Sequence, residues 1–447
     1  MEYKDNFDIK KVKIAFLTLG CKVNSYETEA MQALLVEAGA KLVEFSEIAD
    51  IYVINTCSVT NMADRKSRQM LHRAKKKNPN ALVVAAGCYA QTAEEDAMKE
   101  TGVDIVIGNN QKKHIVEIIS SHMAGVENRR LEIGKETEYE NLSLATQVEH
   151  TRAYIKIQDG CNQFCSYCII PYARGRIRSR KEEEIFLEVT RLAEAGYQEI
   201  VLTGIHLSSY GMPAEEGKQP LLELIEKLNA VEGIQRIRLG SLEPRIITED
   251  FVQTLGKYEK VCPHFHLSLQ SGSDSVLKRM NRKYTTKEYA NSVAILRTYY
   301  KEPAITTDII VGFPQETEEE FLETMQFAQE IGFSKIHVFK YSRRKGTVAD
   351  KMSGQVPEQI KTERSEKLLA LEVRLGENYR KQFLSSKEQV LFEESAIVDG
   401  QYCQTGYNER YVRIAVKTEQ ELSNQIRQVT ITENVKEQET LFAVIES

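Results

Sequence analysis

The stretch GCNQFCSYC, residues 160–168, places three cysteines in one short loop, with no fourth cysteine nearby: Cys161, Cys165 and Cys168. Closely spaced thiolates bind zinc or iron–sulfur clusters. A structural zinc site usually takes four protein ligands from paired C-x2-C turns, whereas this pattern is C-x3-C-x2-C and no nearby histidine completes it. A cubane cluster held by three thiolates keeps one iron open. The spacing therefore favours a metal centre that does chemistry.

A second set of three cysteines is spread over the first ninety residues. Cys21, Cys57 and Cys88 each follow directly on a short β-rich apolar run, in VKIAFLTLGC, ADIYVINTC and ALVVAAGC. Their separations, 57 − 21 = 36 and 88 − 57 = 31 residues, are about one βαβ unit of roughly 30 residues each. Because ligand sites of parallel sheets form beyond the carboxyl ends of the strands, we expect these thiols to converge. Three separate buried thiols are the alternative.

The length of the chain predicts several domains, since 447 residues exceed the size at which a single hydrophobic core stops growing. Strand and helix patterns alternate first as a parallel α/β sheet and then, from residue 151, as about six βα units of a full or partial barrel. Short strands with turn signals such as VDGQ follow, and predict a small antiparallel β-barrel. The predicted fold class is thus α/β with a small barrel, in three domains: 1–145, 146–379 and 380–447.

Residues 111–150 are polar and charged, and we interpret them as a linker or irregular crossing. No eighteen apolar residues run together, and the charged amino-terminal stretch does not look like a signal peptide, so we expect a cytoplasmic protein with no membrane partner. In that compartment the cysteines are reduced.

The net charge of −6 gives no global footprint for nucleic acid, so any such binding depends on local patches. Two basic runs each follow a cysteine: RKSRQMLHRAKKK, residues 65–77, and ARGRIRSRK, residues 173–181. A third, SRRK at 342–345, ends a barrel strand. Charge runs are usually solvated faces, but the position of the first two runs beside cysteines favours binding of nucleic acid.

Eight blocks distributed along the chain resemble the signatures of the methylthiotransferases, a family of radical S-adenosylmethionine (SAM) enzymes. The blocks are TLGCKVNSYETE, VINTCSVTNMADRKSRQ, AAGCYAQ, DGCNQFCSYCIIPYARGR, LTGIHLSSYG, RLGSLEP, HLSLQSGSDSVLKRMNRKYT and DIIVGFPQET. The first two are most similar to the branch that acts on N6-threonylcarbamoyladenosine in tRNA. Two other branches modify isopentenyladenosine in tRNA and an aspartate of a ribosomal protein.

The resemblance implies two [4Fe–4S] clusters, and it assigns six cysteines as their ligands: Cys161, Cys165 and Cys168 for the radical cluster, and Cys21, Cys57 and Cys88 for an auxiliary one. It also implies that SAM completes the open iron of the radical cluster. SAM is used twice per product, once as methyl donor and once as the source of a 5′-deoxyadenosyl radical, which removes hydrogen from C2 of the adenine. The carboxyl-terminal barrel corresponds to the RNA-binding TRAM domain.

Candidate contacts for SAM lie at the carboxyl ends of the barrel strands, where such barrels bind ligands: Tyr167, Gly204, Ser241 and Gln270. Tyr167 can stack on the adenine of SAM or shield the cluster, and the other three can equally be turn residues. In the small barrel, Tyr402, Tyr407 and Tyr411 are candidate stacking surfaces for RNA, with core packing as the alternative.

Two alternative functions stay open at this point. The first keeps the radical chemistry but acts on the ribosomal-protein aspartate, and the second is a zinc-stabilised RNA-binding protein without catalysis. The enzyme also needs an electron donor such as flavodoxin or ferredoxin. We interpret Cys262 and Cys403 as structural, and His264 and His266 as strand residues.

Overall fold

The computed structural model describes residues 9–126, 130, 132–143, 151–435 and 438–446. Its amino-terminal part is a five-stranded, wholly parallel sheet in the order β2-β1-β3-β4-β5. The strands are β1 Lys13–Thr18, β2 Lys41–Val43, β3 Ile51–Thr56, β4 Leu82–Gly87 and β5 Ile105–Ile107. The helices are α1 Lys22–Glu37, α2 Asn61–Lys77, α3 Cys88–Thr92, α4 Glu95–Lys99 and α5 Ile115–Met123. Separate apolar clusters cover the two faces of the sheet.

Six parallel strands then form an open barrel. They lie in the order β6-β8-β9-β10-β11-β12, and two isolated bridges join β9 to the chain around β10. The six are β6 Arg152–Asp159, β8 Glu199–Gly204, β9 Arg236–Leu239, β10 His264–His266, β11 Ala304–Val311 and β12 Lys335–Lys340. A further short strand, β7 Arg178–Ser179, pairs with β6 in the antiparallel direction. Because the short antiparallel β7 occupies the free edge of β6, no pairing between β6 and β12 closes the ring in the described part of the chain. The barrel is therefore partial.

The helices of this part pack outside the strands around the largest apolar cluster of the molecule. They are α6 Ile170–Arg174, α7 Glu182–Glu194, α8 Pro220–Asn229, α9 Glu249–Leu255, α10 Asp274–Arg279, α11 Thr286–Tyr299, α12 Glu318–Ile331 and α13 Glu358–Lys381. The acidic run QETEEEF begins α12, where Thr317 and Glu320 form a capping box. α13 leads to the last part of the chain, as predicted.

The carboxyl-terminal part is a closed five-stranded barrel in the order β13-β14-β15-β17-β16. Its strands are β13 Lys387–Val398, β14 Gln401–Asn408, β15 Arg413–Val416, β16 Ile426–Val435 and β17 Thr440–Ile445. Four of the strand pairs are antiparallel, but β15 and β17 run parallel, which the sequence pattern did not predict. We call this unit the small barrel.

The fold class predicted from the sequence is confirmed, with two local corrections. β2 was not predicted, since it has three residues only. The interpretation of residues 111–150 as linker is wrong for α5, which packs Ile115, Ile118 and Ile119 into the sheet's core. The predicted domain boundary at residue 145 lies outside the described residues. No described helix has both the length and the apolar character that crossing a membrane requires.

Candidate active site

Three cysteines lie just beyond one edge of the parallel sheet, and we call them the sheet trio: Cys21, Cys57 and Cys88. Side-chain hydrogen bonds tie the loops that carry them. Asn24 Nδ2 donates to the carbonyls of Leu19 (2.7 Å) and Thr56 (3.0 Å), and the Ala90 amide donates to Thr56 Oγ1 (3.1 Å). These bonds join the chain around each of the three cysteines to the ends of β1 and β3. Since β1 and β3 flank the point where the strand order reverses, the trio occupies the position at which such sheets bind ligands.

The other three cysteines lie on the loop after β6, and we call them the loop trio: Cys161, Cys165 and Cys168. The Cys161 amide donates to the carbonyl of Gly175 (3.1 Å), and the Ser166 amide donates to the carbonyl of Met280 (3.0 Å). Arg282 places a guanidinium nitrogen 3.3 Å from Cys165 Sγ, within hydrogen-bonding distance of that sulfur. The loop is thus held from both sides at the carboxyl end of the barrel.

Within each trio the thiols are electrostatic neighbours. Burial raises the pKa of Cys57 to about 11, and the charges of Cys88 and Cys21 add to the shift. Burial likewise raises the pKa of Cys168 to about 12, with contributions from Cys165 and Cys161. A thiol of this kind becomes a good ligand only when a metal centre offsets the cost of its negative charge.

The spacing of the sulfur atoms does not suit one zinc ion. Tetrahedral zinc with Zn–S bonds of about 2.3 Å places its sulfur ligands about 3.8 Å apart. Among the described residues, one group of three His, Cys, Asp or Glu side chains brings its ligand atoms within 4.8 Å of one another: His266, Asp308 and His337. Neither cysteine trio does so. The sulfur atoms of each trio are therefore not gathered as closely as a single zinc ion requires.

Glycines hold three of the six cysteines in place, a feature that we did not predict. Gly20, Gly87 and Gly160 each immediately precede a cysteine, and all three have positive φ, at 107°, 90° and 72°. A Cβ atom on Gly160 would lie 1.8 Å from the Arg176 carbonyl oxygen, and one on Gly20 would lie 2.9 Å from Cys57 Sγ. Only glycine fits these turns. The dipeptide Gly-Cys, which occurs at each of these positions, is the signal that the sequence offered.

The two trios meet at one interface between the sheet and the partial barrel. α3, which begins at Cys88, packs against α6, which follows the loop trio. Asn109 joins them, since its Nδ2 donates to the Ala173 carbonyl (2.8 Å) and lies 3.8 Å from Cys88 Sγ. Arg174 donates to Asn24 Oδ1 (2.8 Å), and that oxygen lies 4.0 Å from Cys21 Sγ. The helix that follows the loop trio is therefore attached directly to the chain around the sheet trio.

A buried ion network fixes this interface, and its residues were not predicted from the sequence. Glu27 of α1 is fully buried and accepts from Lys156 of β6 (2.7 Å), Arg174 of α6 (2.8 Å) and Lys112 (3.0 Å). Asp159 joins the network through Lys156 (2.7 Å). Burial opposes ionisation of Glu27, but these cations outweigh it and hold the pKa of Glu27 well below its ordinary value. The network sets the orientation of one trio relative to the other.

The predicted contacts for SAM lie along the carboxyl rim of the barrel, after four different strands. Gly204 ends β8 and packs against the Gln158 side chain, Ser241 is exposed after β9, and Gln270 follows β10 with a φ of 73°. Tyr167 is half-buried between loop-trio cysteines and packs against the cluster around Met280. The structure brings the four residues to one rim, and their contact with SAM stays a prediction.

The basic run on α2 is a candidate for RNA binding in the structure, whereas the run at 173–181 is not. On α2 the exposed cations Arg65, Lys66, Arg73 and Lys76 share one helix face. In the run at 173–181, however, three arginines are buried, so the RNA-binding interpretation is wrong for them: Arg174, Arg178 and Arg180. Arg174 and Arg180 pair with acids of the interface and α7, at Glu27 and Glu188. The run's alternating arginines are structural.

The run at 342–345 is likewise used mainly within the molecule. Arg344 is buried and donates to Ser58 Oγ (2.7 Å) and Asn61 Oδ1 (2.8 Å), just after Cys57. Arg343 and Lys345 pair with acids on the surface. This run therefore attaches the end of β12 to the sheet.

The small barrel covers the opposite, amino-terminal end of the barrel strands. Tyr407 and Tyr411 stack on each other with ring centroids 4.5 Å apart, and the Arg152 guanidinium lies 5.0 Å and 4.8 Å from the two centroids. Arg238 lies 4.9 Å from the Tyr411 centroid. These two tyrosines are interface residues, so the RNA-stacking hypothesis is wrong for them. Tyr402 is 50% exposed and stays a candidate stacking surface for RNA.

The inside of the barrel is polar. On β6 the residues Ala153, Ile155 and Ile157 face the outer helices, so the alternate positions, Tyr154 among them, point inward. The same alternation turns His266, Asp308 and His337 inward. Cys262 and Cys403 are both buried away from the two trios, and Cys403 belongs to an apolar cluster, in agreement with a structural role. The loop trio lies at the carboxyl end of this polar interior, directly after β6.

Comparison with known proteins identifies the superfamily to which this architecture belongs. The Radical SAM superfamily model matches residues 155–328, and that of uncharacterized protein family UPF0004 matches residues 13–108. Among solved structures, the radical SAM methyltransferase TsrM from Kitasatospora setae aligns with a TM-score of 0.55 and 13% identity, covering 73% of this chain and 72% of that one. The fold and the cysteine loop thus define a radical SAM enzyme, which implies a [4Fe–4S] cluster and SAM.

The sequence relatives identify the family within the radical SAM enzymes to which this chain belongs. The threonylcarbamoyladenosine tRNA methylthiotransferase MtaB of Bacillus subtilis is 42% identical over 94% of this chain and 93% of its own length. The enzyme of that name from Aquifex aeolicus is 39% identical over 91% and 100%. A tRNA-2-methylthio-N(6)-dimethylallyladenosine synthase of Thermodesulfovibrio yellowstonii is 36% identical over 84% and 86%. The chain belongs to the tRNA methylthiotransferase family.

Proposed function

We propose that this enzyme adds a methylthio group to C2 of N6-threonylcarbamoyladenosine, next to the anticodon of tRNA. The observation that carries the proposal is the meeting of two cysteine trios at one interface. Both bear three thiolates and neither has a fourth, so each cluster keeps a position for a reacting molecule. The relatives with the highest identities reported above act on the same modified nucleoside by name.

In this proposal the chain holds two [4Fe–4S] clusters, one in the loop trio and one in the sheet trio. When bound, the clusters and SAM supply the radical and the sulfur chemistry. The chain's own residues hold the reactants. Arg282 donates to Cys165 Sγ, Asn24 and Arg174 link the chain around the two trios, and the carboxyl rim of the barrel positions SAM.

The tRNA is bound largely through its phosphates, and the exposed face of α2 is the best candidate for that contact. Arg65, Lys66, Arg73 and Lys76 lie on a helix that starts four residues after Cys57. The position beside the sheet trio would bring the backbone of the anticodon loop close to the reacting base. Cations arranged in this way release counterions when they bind phosphate.

Replacing Arg73 and Lys76 by glutamine is expected to lower the affinity for tRNA to a similar extent whatever the RNA sequence. The rate at which bound tRNA is modified should not change. The reason is that phosphate contacts position the RNA but read no base. The slope of log affinity against log salt should fall by about 1 for each lost contact. Fluorescence anisotropy at several salt concentrations measures it. Lys75→Gln is the matched control, because Lys75 is already paired with Asp104 (2.9 Å).

Nucleoside analysis tests the substrate assignment. In cells that lack the protein, mass spectrometry of tRNA digests is expected to show threonylcarbamoyladenosine without its methylthio derivative. Complementation with the intact gene should restore the derivative. Persistence of the methylthio form, with loss of a modified ribosomal-protein aspartate instead, would show that the substrate is the protein. Iron analysis of oxygen-protected enzyme should give about eight irons per chain for two cubanes, against none for a zinc protein.

Two further expectations accompany the proposal. Reduction of the radical cluster requires an electron donor, for which flavodoxin or ferredoxin are candidates. Since tRNA and these carriers are in the cytoplasm, the enzyme acts there.

A further inference from the structure

Lys22 is a cation placed between the sheet trio and the inside of the barrel. It directly follows Cys21 and is the first residue of α1. Its Nζ lies 5.7 Å from the centroid of the Tyr154 ring, which points into the barrel. The side chain is exposed, and its ammonium forms no ion pair or hydrogen bond with any residue that the structure describes. An aromatic ring holds the cation weakly and leaves its donors available.

The other cations near Lys22 are already engaged. Arg152 pairs with Glu393 (2.8 Å), and Arg238 pairs with Glu199 (2.8 Å). Both arginines also pack on tyrosine rings of the small barrel. Lys22 is thus the cation of this group with free donors, and it directly follows a cysteine of the sheet trio.

Across the same space lies the polar group formed by His266, Asp308 and His337. His266 Nε2 lies 3.4 Å from Asp308 Oδ2, and the two histidine rings stack with centroids 5.9 Å apart. His337 lies on the inward face of β12, as Tyr154 lies on the inward face of β6, so Lys22 and this group border the same barrel interior. Asp308 repels an anion, which leaves the Lys22 side of the space as the place where an anion binds.

We propose that Lys22 binds the carboxylate of the threonylcarbamoyl substituent, and that this contact selects the substrate. The inference rests on the proposed function and deepens it. Threonylcarbamoyl and dimethylallyl substituents occupy the same position on adenine, but only the first carries a negative charge. An unpaired ammonium beside a ring suits a carboxylate, whereas an apolar substituent would leave it without a partner. Lys22 is in this sense a specificity residue, not a catalytic one.

The test compares two RNAs on the cluster-loaded enzyme under oxygen-free conditions. One anticodon stem–loop carries N6-threonylcarbamoyladenosine, and the other carries its neutral carboxamide. Fluorescence anisotropy gives the ratio of their affinities. We expect the wild type to prefer the carboxylate by about 10- to 100-fold, the size of a hydrogen-bonded charge contact. Lys22→Met should bring the ratio close to 1, Lys22→Glu should bring it below 1, and Lys22→Arg should keep most of the preference.

Lys257→Met, which removes an exposed cation at the end of α9, is the control and should leave the ratio unchanged. A wild-type preference that survives in both Lys22→Met and Lys22→Glu would overturn the inference. So would equal binding of the two RNAs by the wild type. Methylthio product from the wild type is measured in the same preparations. Because the affinity ratio does not depend on turnover, loss of the proposed function and loss of this contact give different results.

Discussion

Cys165→Ala is expected to abolish formation of 5′-deoxyadenosine from SAM, whereas Cys57→Ala should leave it intact and abolish methylthio transfer to tRNA. The reason is that the two residues belong to different trios, each of which loses a third of its ligands. Cys165 lies on the loop after β6, next to Arg282, and Cys57 lies at the end of β3. Chromatography of nucleosides and mass spectrometry of the tRNA measure the two products from one reaction.

The matched control is Cys262→Ala. Cys262 is buried and is not part of either trio, so both products should form at close to the wild-type rate. Iron content provides a second readout, since each trio variant should retain about four irons per chain. Equal retention of methylthio transfer in Cys165→Ala and Cys57→Ala would contradict the assignment of radical formation to the loop trio and of methylthio transfer to the sheet trio.

Glu27→Gln is expected to lower the free energy of unfolding by about 3–5 kcal/mol, the range found when one partner of a buried ion pair is removed. The change keeps the shape of the side chain but leaves Lys112, Lys156 and Arg174 without their shared anion. All four side chains are fully buried, so water cannot replace the missing charge. Urea denaturation followed by circular dichroism measures the loss, with the domains fitted as separate transitions if they do not unfold together.

Glu117→Gln is the control for this prediction, because Glu117 pairs with His114 on the surface and its side chain is 77% exposed. Its effect should stay within about 0.5 kcal/mol. The double variant Glu27→Gln/Lys156→Met should lose less stability than the two single variants added together, since it removes an anion and a cation that face each other. A Glu27→Gln protein as stable as the control would mean that the network contributes little.

The sequence predicted those features that depend on local spacing. The sheet trio could be located because each of its cysteines follows a strand, and parallel strands bring their carboxyl ends to the same edge. The loop trio could be located because its three cysteines share one short loop after a single strand. The six βα units of the barrel could be predicted for the same reason. The Gly-Cys pairs were equally local, although their meaning depends on how close the neighbouring backbone comes.

Features that depend on distant partners could not be predicted. Arg174 belongs to a basic run whose neighbours in sequence suggested RNA, but its partner Glu27 is 147 residues away. Tyr407 and Tyr411 likewise meet Arg152 and Arg238 only after the small barrel has docked. A charge or an aromatic ring looks the same in sequence whether it will be exposed or paired. The tertiary contact decides between the two.

The position of the small barrel sets a minimum size for the substrate. It covers the first residues of the barrel strands, whereas the cysteine loop follows their last ones, and the eight residues of β6 rise about 26 Å between the two ends. An RNA that touches Tyr402 while presenting a base at the cysteine rim must span at least that distance. A free nucleoside reaches one end alone, so a substrate that contacts both ends is selected by its length as well as by the chemistry of one base.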